Sequence, residues 1–226
     1  MNMPKAKYFE NTTIFNFKWD QVVKAFWLRY PNPHSTHVLS EDTISRDVKE
    51  GRLHTRRLLT KTNLIPKWGK RFISAPFVKI YEESIVDPLN KTMITYTFNM
   101  GHAKVMSVVE KVVYKASLDN PNHTIAVRSA WIDSQLFGFS RAIKAFGLER
   151  FRVNCTKAIT GYNYILNKMF ASQNYKAEEA LNLSNGTNSN INKIKEVAKN
   201  ATGKAKAKAD NIYQMAKSQS THEQIP

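Results

Sequence analysis

Apolar residues along this chain change their period twice, and each change marks a change of element. After Asp20, a candidate cap, the positions Val22, Val23, Phe26 and Trp27 recur at helical spacing until Pro31-Asn32-Pro33 stops the run. A strand and this short helix precede that break. From His37 the period becomes two, over Thr43–Val48 and, after Lys49-Glu50-Gly51, over Leu53–Leu59, which reads as a hairpin. Further strands are predicted over 78–86, 91–98, 108–114 and 124–132. Turn chemistry at Asp87-Pro88 and Asp119-Asn120-Pro121 punctuates them. Short connections with no helix between strands imply an antiparallel sheet.

From about Ser134 to Phe170 the period returns to 3.6, with Phe139, Ile143, Phe146, Phe151, Ile159, Tyr162, Ile165, Leu166 and Met169 marking one long helix. A helix this apolar must be covered over much of its length, and a curved sheet is the available cover. The expected class is therefore α+β, with one domain over 1–170. Residues 171–190 are polar and rich in turn formers, as in Asn182–Asn190, and read as a flexible linker. Residues 191–226 carry a thin stripe (Ile191, Ile194, Val197, Ala201, Ile212, Met215) among lysines, an Ala/Lys-rich and partly helical tail. It is either a solvated tail or a membrane-surface helix.

Composition narrows the function classes. The formal charge of +16 on 226 residues makes the surface attractive to polyanions of any kind, nucleic acid, anionic lipid or acidic partner. The single cysteine, Cys155, excludes an internal disulfide and reads as a small buried hydrophobe. No apolar run approaches the roughly 18 to 20 residues that cross a bilayer, and the start of the chain has neither a hydrophobic signal nor an Arg-rich amphipathic helix. Phosphate loops, nucleophile elbows and H-E-x-x-H sequences are absent. His34 and His37, three apart beside the proline break, are a weak metal signal.

The most informative local pattern is on the long helix. Arg150, Asn154 and Lys157 fall at i, i+4 and i+7, so they share one face. That face is either solvated, or an anion site in which two cations supply charge and Asn154 supplies neutral hydrogen bonds. Arg29, His37 and Lys61 form a second basic group in the N-terminal third. Arg56 and Arg57 are adjacent in a strand, so at most one looks inward. The connection Leu64–Ile73, with Ile65, Lys67, Trp68, Lys70 and Phe72, mixes bulky apolar and basic residues. Such a segment is either tucked over the core or dips into anionic membrane, and a mobile lid would do both.

Several motifs in order along residues 7–170 resemble the PRELI/MSF1 family of intermembrane-space lipid carriers. They are Phe26-Trp-Leu-Arg-Tyr-Pro-Asn-Pro33, His37-Val-Leu-Ser-Glu-Asp-Thr-Ile44, Arg57-Leu-Leu-Thr-Lys-Thr-Asn63, Pro66-Lys-Trp68, Asp87-Pro88, Phe137-Gly-Phe-Ser-Arg-Ala-Ile143 and Phe146-Gly-Leu-Glu-Arg-Phe151. The resemblance implies a concave antiparallel sheet wrapping a long C-terminal helix around a lipid tunnel, as in START-like and phosphatidylinositol-transfer folds. It also implies a carrier rather than an enzyme, with no cofactor. Its cargo would be phosphatidic acid, moved between the mitochondrial membranes for cardiolipin synthesis, with phosphatidylserine as the alternative of a related branch.

On the same resemblance the headgroup is held by Arg29, His37, Lys61, Arg150, Asn154 and Lys157. Leu64, Ile65, Lys67, Trp68, Lys70 and Phe72 form the lid and membrane contact. Leu64 stands where some members carry a lysine, a role that Lys67 or Lys70 would then take. The implied partners are an anionic membrane surface, visited transiently, and a small twin Cys-x9-Cys protein that retains the chain in the intermembrane space. A basic nucleic-acid-binding module is the rival from another class, but no standard motif supports it and no nucleic acid is expected.

Overall fold

The computed structural model describes residues 6–62, 65–72 and 75–182. Seven strands form one antiparallel sheet: β1 (Lys7–Phe15), β2 (Val38–Lys49), β3 (Arg52–Thr62), β4 (Phe77–Asp87), β5 (Thr92–Met100), β6 (Ser107–Ala116) and β7 (Thr124–Asp133). Their order is β1-β7-β6-β5-β4-β3-β2, so β2 to β7 run as a meander and the first strand closes against the last. The β2–β3 turn is set by two residues with positive φ, Glu50 at 49° and Gly51 at 73°. A two-residue turn with both φ values positive carries the twist that antiparallel neighbours need.

Alternation along each strand sends one set of side chains into the concave face. The row nearest the hairpin turns is Leu53, Val86, Met93, Tyr114 and Ala126, paired strand to strand. Helix α1 (Trp19–Phe26) lays Val22, Ala25 and Phe26 into the same cluster, with Phe15, Phe17, Tyr162, Ile165 and Leu166. This is the apolar core, and it fills one end of the concavity. Asp20 does not cap α1: Lys18 occupies the cap, its backbone N–H donating to Gln21 Oε1 at 2.9 Å, and Asp20 lies in the first turn. There its charge still favours the helix N-terminus.

Helix α2 runs over Ser140–Asn182. It starts later than the apolar period suggests, because Gly138 at φ 77° breaks the helical path and Ser140 Oγ ties back to the Ser134 carbonyl at 2.7 Å. It also passes Phe170 into the stretch read as linker. Residues 171–182 hold Ala, Lys, Glu and Leu, all good helix formers, and the dense turn formers begin at Asn182. Met1–Ala177 form one compact unit. Residues 183–190 and the tail, 191–226, lie outside the described residues.

Two kinds of contact fix α2 against the rest. Rings lock it from the sheet side: Phe151 meets Phe9 at 5.3 Å, and Tyr162 meets Phe15 at 5.1 Å. Tyr162 also donates from its hydroxyl to the Val22 carbonyl at 2.6 Å. Glycines allow close approach elsewhere. A Cβ on Gly147 would lie 2.8 Å from Ile132 Cγ2, and one on Gly161 would lie 2.5 Å from Asn32 Oδ1. Asn32 is not free to yield, since it accepts from the His34 backbone N–H at 2.9 Å and donates to the Arg29 carbonyl at 2.7 Å. Gly161→Ala is therefore expected to destabilise the fold by about 1–3 kcal/mol through overpacking. A denaturant midpoint equal to that of the parent would refute this packing account.

Candidate functional site

Between the concave face and α2, beside the apolar core, lies a cavity of about 860 Å³. Its walls come from α1 and the turn after it (Phe26, Arg29), from β3 to β7, and from one face of α2. The helical face is Gly147, Arg150, Phe151, Asn154, Ala158 and Tyr162. The apolar part of the lining includes Leu59, Val78, Ile80, Met106, Val108, Val112 and Phe146. Such a chamber suits a ligand with an apolar body and a polar end.

Charged groups cross the inward face of the sheet in one registered row. Arg57 pairs in register with Glu82, Glu82 with Thr97, and Thr97 with Glu110. Glu82 is buried beneath two guanidiniums. Arg57 Nε donates to its Oε1 at 2.8 Å, and Arg29 Nη2 bonds its Oε2. Arg57 also reaches Glu41 at 2.8 Å, which makes a four-membered network whose formal charges cancel. Burial works against the Glu82 charge, but Arg29 and Arg57 outweigh it and hold the carboxyl below its ordinary range. Glu41 is pushed the other way, chiefly by burial. Arg29 further stacks over Phe26, 3.9 Å from the ring centroid.

A second pair sits in the same wall. Arg128 bonds Glu110 Oε1, and Thr97 Oγ1 donates to Glu110 Oε2 at 3.0 Å. Burial opposes the Arg128 charge, yet Glu110 holds its guanidinium above the usual value. The cysteine beside this pair, Cys155, is buried, and burial raises its thiol.

All six residues expected to hold a headgroup, Arg29, His37, Lys61, Arg150, Asn154 and Lys157, line this one cavity. They come from the turn after α1, the approach to β2, β3 and α2. Lys61 and His37 are neighbours across the β2–β3 edge, where Thr62 N–H donates to the His37 carbonyl at 2.9 Å. His37 is half-buried. Desolvation, then Lys61, Lys157 and Arg150, lower its pKa from the ordinary 6.5. Among the described residues, the ion pairs engage Arg29, Arg57 and Arg128 but not Lys61 or Lys157.

The segment read as a lid is placed differently. Lys67–Arg71 form a short 3-10 turn. Lys67 and Lys70 are exposed, Ile65 and Phe72 half-buried. Phe72 packs on Phe139 at 5.3 Å. None of these four lines the cavity. Leu64 and the side chain of Trp68 lie outside the described residues. No described group of three or more His, Cys, Asp or Glu is placed to hold a metal, and no described helix is long and apolar enough to cross a membrane.

Of Arg56 and Arg57, the inward one is Arg57, 2% exposed; Arg56 faces out and pairs with Glu83. Sequence reading did not single out Glu82, Glu110 or Arg128. The signal was parity: Glu82 shares its strand face with Val78, Ile80 and Val86, and Glu110 shares its face with Val108, Val112 and Tyr114. A charge on the apolar parity of a strand marks a buried partner.

The sequence profile of the PRELI-like family matches residues 20–173. The chain is 49% identical over 168 residues to PRELI domain-containing protein 1, mitochondrial, of Bos taurus, covering 73% of this chain and 77% of that protein. It is 35% identical to Protein UPS1, mitochondrial, of Saccharomyces cerevisiae (73% and 95% covered), and 31% identical to Protein UPS2, mitochondrial, of the same yeast (87% of each). Among solved structures, a protein of Thermus thermophilus superposes with a TM-score of 0.51 at 11% identity, covering 72% of this chain and 99% of that one. The Zhui aromatase/cyclase from a Streptomyces species superposes equally well at 9% identity, with 72% and 94% covered. At such identities the likeness is one of fold, a sheet gripping a long helix in the START-like manner.

The cationic surround of His37 has a measurable consequence. In the ligand-free protein its ring is expected to titrate below 6.5. Because the unfolded chain then takes up the proton first, His37 lowers stability as pH falls from that value through the depressed one. An anion placed among Lys61, Arg150 and Lys157 favours the imidazolium and shifts the titration upward. Nuclear magnetic resonance of the His37 ring with and without a phosphomonoester lipid reads both effects; a titration that ignores the ligand would remove His37 from the anion site.

Proposed function

The chain belongs to the PRELI-like family, and from that premise we propose that it carries phosphatidic acid between the outer and inner mitochondrial membranes, supplying cardiolipin synthesis. The observation that supports this reading is the cavity that gathers Arg29, His37, Lys61, Arg150, Asn154 and Lys157 beside an apolar lining. A phosphomonoester carries between one and two negative charges near neutral pH, which several cationic donors can share. Two acyl chains leaving a membrane expose methylenes at about 0.8 kcal/mol each, so unaided escape costs on the order of 20 kcal/mol. A largely apolar chamber lowers that barrier without any bond being made or broken, so the proposed activity is transfer and not catalysis.

In this proposal the basic surface brings the protein to anionic membrane. Leu64, Ile65, Lys67, Trp68, Lys70 and Phe72 form the contact through which the lipid passes. A small twin Cys-x9-Cys protein retains the chain in the intermembrane space. A chain with one cysteine has no disulfide trap of its own, which suits retention by such a partner.

The charges to reverse are Lys61 and Lys157, which stand outside the ion pairs of the described residues. Arg29 is unsuitable, because a carboxylate there would face Glu82 and unfold the site. With Lys61→Glu and Lys157→Glu together, phosphatidic acid transfer between liposomes is expected to fall by roughly a hundredfold or more, the lower end of the scale of two lost contacts to a charged group at about 1.5–3 kcal/mol each. Undiminished transfer would sink the headgroup assignment. A parent protein that moves no lipid would sink the carrier reading itself.

A further inference from the structure

The cavity wall contains carboxylates as well as cations, and their hydrogen bonding has a bearing on cargo. Among the described lining residues the carboxylates are Glu82 and Glu110. Each oxygen of both already accepts a hydrogen bond from the protein. Glu82 gives one oxygen to Arg57 and the other to Arg29. Glu110 gives one to Arg128 and the other to the Thr97 hydroxyl. Arg57 is not itself part of the lining, so it holds Glu82 from behind the wall. Glu41, the fourth member of that network, also lies outside the lining.

Anything bound in the cavity therefore meets, among the described lining residues, cations, neutral dipoles and two carboxylates whose charge is already shared with a guanidinium. An ammonium group entering it would lose its hydration and find, among the described lining residues, no carboxylate without a guanidinium partner, while facing His37, Lys61, Arg150 and Lys157. Stripping an ammonium of water without a partner is strongly unfavourable. A phosphate with no ammonium attached meets none of this opposition. Discrimination of this kind comes from a disfavoured rival rather than from added contacts to the right ligand.

We propose that the arginine-capped carboxylates Glu82 and Glu110 are specificity determinants of the cavity: by keeping these wall carboxylates occupied, Arg29, Arg57 and Arg128 exclude lipids whose headgroup bears an ammonium and reserve the site for phosphomonoester lipids. This rests on the reading of the cavity as a lipid site. Arg128 is the informative position, since its removal uncovers one oxygen of Glu110 without touching the Glu82 network.

The test is a competition transfer assay from donor liposomes holding equal phosphatidic acid and phosphatidylserine, using the full chain. For Arg128→Gln the phosphatidylserine-to-phosphatidic-acid transfer ratio is expected to rise about tenfold or more. Adding Glu110→Gln to that variant removes the uncovered carboxylate and abolishes the gain. Should Arg128→Gln fold poorly, Glu110→Gln alone supplies the second reading: it uncovers Arg128, and its ratio falls below that of the parent. A well-folded Arg128→Gln that moves phosphatidic acid at the parental ratio overturns the proposal while the carrier reading stands. A parent that moves neither lipid overturns both.

Discussion

Glu82 is a carboxylate held under two guanidiniums inside a sheet, and much of this molecule follows from what that requires. A lone charge at such a depth is strongly disfavoured, and the attraction to Arg29 and Arg57 repays burial only when geometry and hydrogen bonds are complete. Completing them needs three segments far apart in sequence. Arg57 comes from β3, Glu82 from β4, and Arg29 from the turn after α1. The network thus ties the N-terminal helix to the middle of the sheet. Asn32 bonds the Arg29 backbone and abuts Gly161, which brings α2 into the same arrangement.

The polar row also accounts for the presence of a cavity at all. Where the concave face is apolar, along Leu53, Val86, Met93 and Tyr114, α1 and the aromatic residues of α2 collapse onto it and the core is full. Where the row carries Arg57, Glu82, Thr97 and Glu110, the groups bond to one another, and the rings of Phe26 and Trp27 cover the Arg57 end. Helix α2 is held off by Phe151 on Phe9 at one place and Tyr162 on Phe15 at another. The space between stays open as the cavity.

Period and turn chemistry carried most of the fold into view before any coordinates. The strands from Phe77 to Asp133 fall where alternation put them, and the Glu50-Gly51 turn adopts the positive φ values that its glycine invites. Helix ends were less legible. Phe139 fits the helical period yet precedes the helix, because Gly138 overrides it, and Asp20 has the chemistry of a cap but sits in the first turn instead. Spacing put Arg150, Asn154 and Lys157 on one face, while their convergence with His37 and Lys61 depends on how far the sheet curls, a tertiary quantity that no local pattern encodes. Arg29 shows the limit most clearly. Its type and position pointed to an anion site, but its charge is shared with Glu82, a partner more than fifty residues away.

That sharing bears on how a carrier both takes up and gives up its cargo. If every cation in the wall were uncompensated, a phosphate would be held by so many charge-assisted bonds that release would be slow, since tighter binding of this kind appears mainly as slower dissociation. Carboxylate partners on Arg29 and Arg128 offset part of that charge and give both a structural role as well. In the proposed site, Lys61 on β3 and Lys157 on α2 are cations outside the ion pairs of the described residues, with His37 beside the first. The two lysines are compact and mobile, and bind phosphate without the bidentate lock that Arg150 can form. Under the proposed function, the balance needed is an anion held firmly enough to cross water and loosely enough to exchange at a membrane, and a mixture of paired and unpaired cations suits it.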